Sequence, residues 1–324
     1  MAKVFDSLWA PNGQTVPDIL YKLVNSKTLT RLKWIGQNGG LNYAPSPQGI
    51  VSKTSRYDHS VGAMILTLQV GGTVDEAIAA LLHDVIHTAF SHVIDFVVGS
   101  AGVSYHENHK DRLLEQFQDE LKSLLGDNWK DYLNESLWPL IKANNPFAID
   151  IADYTARDAV VFGFCDVETV RKMSKKLQVD NSRHLVTVDK ETSEWWSNLA
   201  SVVNKEVYTA PWNFAMNHCL AMALKDSIAS STVLMSDLET VNDSKTEQNA
   251  YDCVMKTEFG KLFLNINNLE WKFVVDSDDI GLWTVLGLFD IRHRPVNPPM
   301  LNDKVIKNTT VMNKGFLIYK SKDY

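Results

Sequence analysis

Several things are scarce in this 324-residue sequence, and each scarcity removes a class of protein. It has three cysteines, Cys165, Cys219 and Cys253, odd in number, far apart and in no CxxC pair, so neither a disulfide framework nor a zinc knuckle is expected. Positive charge is also short. Lys and Arg number 32 against 39 Asp and Glu, a formal charge of −7, and no basic run offsets it. A nucleic-acid polymer is therefore not the expected partner, because binding a phosphate backbone needs a clustered positive surface. No apolar run approaches membrane-spanning length, and the opening MAKVFDSLWAPNGQ lacks a basic stretch followed by an apolar one. The expectation is a reduced, cytoplasmic chain with no membrane association. Hydrophobic residues make up 45% and charged residues 22%, the balance of a globular protein large enough to enclose a pocket. One residue type is concentrated. Of nine histidines, His59, His83, His87, His92, His106 and His109 fall between residues 59 and 109.

The periodicity predicts a mainly α protein. Apolar positions between Pro17 and Ile35 suggest two short helices, and Gly39 to Gly49 reads as a loop. Buried helices are predicted over Tyr57 to Gln69 and Thr73 to His87, the second opened by a capping box of Thr73 and Glu76. Amphipathic segments follow at Glu107 to Leu125 and Trp129 to Ile141. A further helix runs from about Ile149 to Phe162 and is ended by Gly163. Ser193 to Val203 and Asn213 to Leu238 extend the helical count. After about residue 240 the pattern changes, with Val241 to Asn249 a linker or helix start. Strands are then expected at Lys261 to Asn267, Trp271 to Val275, Trp283 to Arg294 and Lys314 to Lys320, with Pro295, Pro298 and Pro299 stopping the third. The expected organisation is a helical domain over 1–240 and a small C-terminal α+β or β-rich region over 241–324.

Chemistry concentrates in Leu82 to Asp95, LHDVIHTAFSHVID. On a helix His83 and His87 lie one turn apart, with Asp84 about 100° round from His83, so the three can converge. Imidazole and carboxylate donors side by side suit a divalent ion such as Mn, Fe, Co, Ni or Mg. The preceding Ala77 to Leu82 is apolar, so the segment is buried, and a buried His–Asp pair must be hydrogen-bonded, paired or metal-bound. Satisfied core histidines are the plainer alternative; three histidines and two aspartates in thirteen residues weigh against it. His92 can join only if the helix breaks between Thr88 and Ser91. Farther on, Asp150, Tyr154, Arg157 and Asp158 would fall at about 0°, 40°, −20° and 80° on a helix, one polar stripe facing either a site or water, with Asp153 and Arg157 as an ion pair.

The order His59, His83-Asp84, Asp150 resembles the H…HD…D signature of the HD superfamily of metal-dependent phosphohydrolases. It is most similar to the deoxynucleoside-triphosphate triphosphohydrolase branch that includes SAM-and-HD-domain proteins. The similarity runs from about Leu29 to Gly163, a motif core of 29–163. Arg31 to Gly40 (RLKWIGQNGG) is similar to RL-x-x-I-x-Q-x-GG, and Ser55 to Gly62 (SRYDHSVG) to R-[FY]-[ED]-H-S-x-G. Leu82 to His92 is similar to LxHDxxHxxFSH, His106-Glu107 to HE, and Asp153 to Asp158 to DY-x-x-RD.

The resemblance implies an HD-domain helical bundle holding one divalent metal ion (Mn, Fe, Ni, Co, Zn or Mg) through His59, His83, Asp84 and Asp150. It implies that His87, His92, His106 and Asp95 line the phosphate, His106 or His87 serving as acid with Asp95 orienting it. Arg56 would meet a phosphate, Tyr154 and Asp158 the sugar or its phosphate, and Gln37 a sugar hydroxyl. The branch carries a lysine after its metal-binding aspartate where this chain has Ile151, and a leucine where it has Asn38. Loss of a phosphate-neutralising cation argues for a nucleotide or related phosphate ester over a triphosphate. The expected activity is therefore metal-dependent phosphoester hydrolysis on a small nucleotide-like substrate. A dNTP triphosphohydrolase releasing tripolyphosphate, a non-catalytic nucleotide-binding module and a di-iron oxygenase stand as alternatives, and a homo-oligomer is left open. His109, His184, His218 and His293 carry no functional expectation.

Overall fold

A computed structural model describes residues 2–99, 104–141, 147–274, 284–293, 300 and 311–321. The chain opens with an antiparallel hairpin, β1 (Ala2–Asp6) and β2 (Ala10–Val16), in register from Ala2 opposite Val16 to Val4 opposite Gln14, then shifted so that Asp6 faces Ala10. Two short helices follow, α1 (Asp18–Val24) and α2 (Lys27–Thr30), and a 3-10 turn continues from Arg31 to Trp34. They bury Leu20, Leu23, Leu29 and Leu32 completely.

The central pair is α3 (Arg56–Gln69) and α4 (Val74–Leu82), packed on each other. Both start with a capping box: Ser55 with Asp58, and Thr73 with Glu76, each satisfying two backbone N–H groups that the first turn leaves free. Glu76 is also held by Arg183 from far along the chain. Then come α5 (Val93–Val98), α6 (Tyr105–Asn108), α7 (Lys110–Glu115) and α8 (Gln118–Leu125), with 3-10 turns over Trp129–Leu133 and Glu135–Leu137. The two long amphipathic helices expected between residues 107 and 141 are thus broken into short pieces.

The helix α9 (Ile149–Val161) packs against α3 and ends at Gly163, whose φ of 73° is the left-handed value glycine tolerates. Beyond it lie α10 (Val167–Ser174), a hairpin of β3 (Leu177–Val179) and β4 (Leu185–Thr187), α11 (Lys190–Val203), α12 (Pro211–Ala229) and α13 (Met235–Glu239). The N-terminal and β3–β4 hairpins were not legible in the sequence. Each has only a short apolar run, stabilised by the helices it rests on.

The C-terminal part begins with α14 (Ser244–Val254) and α15 (Glu258–Leu264), both packed on α12. The strand expected over Lys261 to Asn267 is therefore helical. Thr257 caps α15 by accepting from Gly260, and fully buried Phe263 points into the core, so the alternation of Leu262, Leu264 and Ile266 did not reflect a pleat. The other three strands form an antiparallel sheet in the order β5 (Leu269–Val274), β7 (Val311–Ser321), β6 (Thr284–His293). Pro295, Pro298 and Pro299, read as stopping the third expected strand, lie outside the described residues. The fold is mainly α with a small C-terminal region. All three cysteines are unpaired, and among the described residues no helix is long and apolar enough to cross a membrane.

Candidate metal centre

The core of α3, the end of α4 and the start of α9 meet at one point. His59, one turn into α3, is fully buried, and its Nε2 lies 3.1 Å from His83 Nε2 and 3.1 Å from Asp150 Oδ1. His83 Nε2 is 3.6 Å from the same Asp150 oxygen. Ligand atoms about 2.1 Å from one ion, set at right angles, stand roughly 3 Å apart, so these separations fit a shared cation.

The far side of each ring fixes which nitrogen faces that point. His83 Nδ1 is 2.7 Å from the carbonyl of Ala80, and His59 Nδ1 is 2.7 Å from Asp153 Oδ2. Both partners only accept, so both Nδ1 atoms carry the hydrogen and both Nε2 lone pairs face the common point. Two lone pairs 3.1 Å apart need positive charge between them. Burial works against charging His59, yet its hydrogen bonds to Asp150 and Asp153 carry its pKa up to about 10. Burial would raise the carboxyl of Asp150, but the two histidines hold it far below the usual range. A divalent ion satisfies the same preference.

Asp84 stands a step aside. Its Oδ1 is 3.5 Å from His83 Nε2 and 3.2 Å from His87 Nε2, while its Oδ2 lies 3.8 Å from His59 and is bonded by Arg56 Nη1. Burial favours its neutral form, but Arg56 and the two histidines hold it well below the carboxylate range.

The helix expected to reach His87 stops at Leu82. From there the bonds are tighter turns, Val85 N–H to Leu82 O (3.1 Å) and His87 N–H to Asp84 O (3.1 Å). The reason is competition for the backbone. The buried guanidinium of Arg31 takes the carbonyls of Val85 (2.9 Å) and His87 (3.1 Å), Ala89 N–H goes to Leu238 O (2.8 Å), and Phe90 N–H goes to Glu247 Oε1 (2.9 Å). Phe90 and Ser91 then adopt φ of 60° and 52°, the left-handed region that turns the chain back. Ser91 Oγ accepts from Arg56 Nε (2.7 Å) and donates to Gly36 O (2.6 Å). The break between Thr88 and Ser91 that His92 requires is present.

A second cluster results. The rings of His87 and His106 are 3.9 Å apart, and His92 lies 4.9 Å from the first and 5.5 Å from the second. His92, Asp95 and His106 also bring one potential ligand atom each within 4.8 Å of one another. Asp95 pairs with His92 Nδ1 (3.0 Å) and accepts from Tyr105 N–H (2.6 Å), so in the observed hydrogen bonds it orients His92. Burial, then Arg56, pushes His87 well below its ordinary pKa. Burial, then His92 and Arg56, pushes His106 down to about 3.

The stripe on α9 divides. Asp150 faces the histidine pair. Arg157 does pair with Asp153 (Nε to Oδ2, 2.7 Å), yet the pair is buried, and its Nη2 reaches Asp6 Oδ2 (2.7 Å) on the N-terminal hairpin. Asp158 accepts from Asn38 Nδ2 (2.9 Å) and Tyr208 Oη (2.5 Å), and burial raises its carboxyl to about 6. Tyr154 sits edge-on to Tyr208, with ring centroids 5.9 Å apart. Gln37 Oε1 is buried with no hydrogen-bond partner among the described residues. Arg31, Asp153, Ser91, Tyr208 and Glu247 were assigned no role from the sequence. Arg31, Ser91 and Asp153 carried a signal, as members of the matched motifs, and Asp153 also by its i, i+4 spacing from Arg157.

The chain matches the HD domain family over residues 56–158. It is 33% identical over 235 residues to the metal-dependent phosphohydrolase cns2 of Cordyceps militaris, covering 70% of this chain and 67% of that protein. It is 30% identical over 312 residues to the uncharacterized protein YdhJ of Bacillus subtilis, covering 92% of this chain and 89% of that one. Among solved structures, a phosphohydrolase from Bacteroides thetaiotaomicron shares its fold at a TM-score of 0.67 with 19% identity, covering 99% of this chain and 100% of that one. A hypothetical protein from Aquifex aeolicus does so at 0.60 with 14% identity, covering 99% and 97%. With a histidine pair and a carboxylate converging inside the matched segment, and relatives of this identity and coverage, the chain belongs to the HD-domain family of metal-dependent phosphohydrolases.

Proposed function

We propose that the chain hydrolyses a nucleotide or a related phosphate ester, with one divalent ion held by His59, His83, Asp150 and Asp84. The observation that carries this reading is the convergence of two Nε2 lone pairs and one carboxylate beside a separate three-histidine cluster. A bound ion would supply positive charge to polarise a phosphoryl oxygen and to acidify a water.

The residues around it divide the remaining work. Arg56 fixes the Asp84 carboxylate from one side, and Ser91 holds Arg56 from the other. His87 and His106 are neutral at pH 7, so each can donate one N–H to a phosphate oxygen. Burial and neighbouring positive charge keep them neutral. A phosphate arriving against them supplies the missing negative charge and raises both, bringing one toward the range in which it can protonate a leaving oxygen. The exposed His92, oriented by Asp95, lies at the mouth of this cluster. Gln37, Tyr154 and Asp158 would contact the sugar end, with Gln37 Oε1 free to accept from a hydroxyl. Ile151 in place of a cation leaves no extra neutralising group for a long phosphate chain, which favours an ester over a triphosphate. The name of the Cordyceps relative, a metal-dependent phosphohydrolase, agrees with the reaction class.

A substrate panel with Mn2+ or Ni2+ and product identification tests the reading. Inorganic phosphate as product, lost in His83→Ala and Asp84→Ala, supports it. Tripolyphosphate as product moves the chain to the triphosphohydrolase reading, and activity retained by both variants sinks the proposed centre.

A further inference from the structure

The N-terminal hairpin lies outside the matched HD segment, yet it reaches the back of the metal centre. The loop between β1 and β2 is folded by Asp6, whose Oδ1 accepts from the backbone N–H of Leu8 (3.0 Å) and Trp9 (2.7 Å). Arg171 clasps the same loop from outside, bonding the carbonyls of Leu8 (2.6 Å) and Ser7 (2.7 Å), and Gln69 Nε2 holds Trp9 O (3.1 Å). So fixed, the Trp9 side chain is 95% buried, and its indole N–H donates to Asp153 Oδ1 at 2.5 Å. The other oxygen of Asp153 takes His59 Nδ1–H and Arg157 Nε–H, both at 2.7 Å. Arg157 closes the circuit on Asp6.

We infer that Trp9 is a positioning residue for the metal centre, acting through Asp153 on His59. The inference rests on His59 being a ligand. Asp153 is fully buried, and its two oxygens divide their duties between the hairpin and the ligand. An indole nitrogen donates and never accepts, so it holds Asp153 in its acceptor role. Asp153 in turn keeps the hydrogen of His59 on Nδ1 and the lone pair of Nε2 toward the metal. Remove the indole N–H, and Oδ1 is left without its donor in a dry site, free to pivot toward Arg157 or His59. Partners one step behind a ligand commonly alter metal affinity by tenfold or more. Tryptophan suits the position because its ring fills the space between hairpin and helices while its one polar atom is consumed.

The test uses the full chain stripped of metal and titrated with Co2+ by calorimetry and by its visible absorption. Trp9→Phe keeps the ring and loses the donor. It is expected to bind Co2+ measurably more weakly than the wild type, though by less than the roughly tenfold or greater loss expected of Asp153→Asn, with a changed absorption envelope. In an Asp153→Asn background the same substitution is expected to add less than about twofold, since its route to the metal is already cut. Wild-type protein that binds no Co2+ sinks the metal centre and this inference together. Wild-type binding matched by Trp9→Phe, whatever happens to its melting temperature, sinks this inference alone, as does a full additive loss in the double variant. Should Trp9→Phe not fold, wild-type protein labelled with 15N on its indoles gives the answer with Zn2+. A strongly hydrogen-bonded, downfield indole signal that moves on metal addition supports the link, and no indole responding overturns it.

Discussion

Gly62 lies directly beneath Arg157: a Cβ built on the glycine would overlap the guanidinium Nη2 and the Oδ1 of Asp153. The glycine of the SVG segment, inside α3, is therefore a requirement of space under the buried circuit of Asp153, Arg157 and Asp6.

Gly62→Ala tests that requirement. Overpacking costs about 1–3 kcal/mol, and displacing Arg157 from two buried carboxylates adds to it. Guanidinium unfolding should show a lower midpoint at an unchanged slope, with weaker Co2+ binding. A variant as stable as the wild type would mean that the guanidinium relocates at no cost.

His106→Asn separates catalysis from metal binding. His106 lies against His87, outside the group of His59, His83 and Asp150. If it donates to the transferring phosphate, kcat should fall by about 10²- to 10⁴-fold with bound metal unchanged, read by steady-state kinetics and elemental analysis. An unaltered kcat assigns the proton transfer elsewhere in the cluster.

Glu247 makes the stability depend on pH. Burial raises its carboxyl from an ordinary 4.5 to about 7, against the pull of Tyr43, the Phe90 N–H and Arg31. Its folded pKa lies above its unfolded one, so the folded state binds more protons between those values. That stabilisation is fully present below about pH 4.5 and is lost as pH rises through about 7. Glu247→Gln mimics the protonated form. Between pH 5 and 8 the wild type should lose roughly 2 kcal/mol of unfolding free energy relative to this variant. Parallel pH curves for the two proteins would show that Glu247 titrates alike in both states.

The reach of the sequence can be judged residue by residue. The capping box at Thr73, the stop at Gly163 and the apolar face of α4 are local chemistry, written within four or five positions and reproduced in the fold. The pairing of His83 with Asp84 was legible as a spacing of residue types, whereas their grouping with His59 and Asp150 came from the resemblance to a known signature. The break after Leu82 was not, because it is imposed by Arg31 and Glu247, which lie more than fifty and one hundred and fifty positions away and take the backbone groups that a longer helix would use. The helical state of Lys261 to Leu264 was likewise decided by packing on α12 over an ambiguous apolar pattern.

By itself, then, the sequence determined where α3, α4 and α9 would form and that histidines and aspartates cluster near them, since propensity, capping and spacing act over one or two turns. What only the tertiary structure decided is how those side chains are held. Trp9 and Asp153 stand 144 positions apart, and only when the hairpin folds against α3 and α9 does an indole N–H reach the carboxylate behind His59. Hydrogen bonds of that kind depend on a closed chain and a dry interior, and no local pattern encodes them.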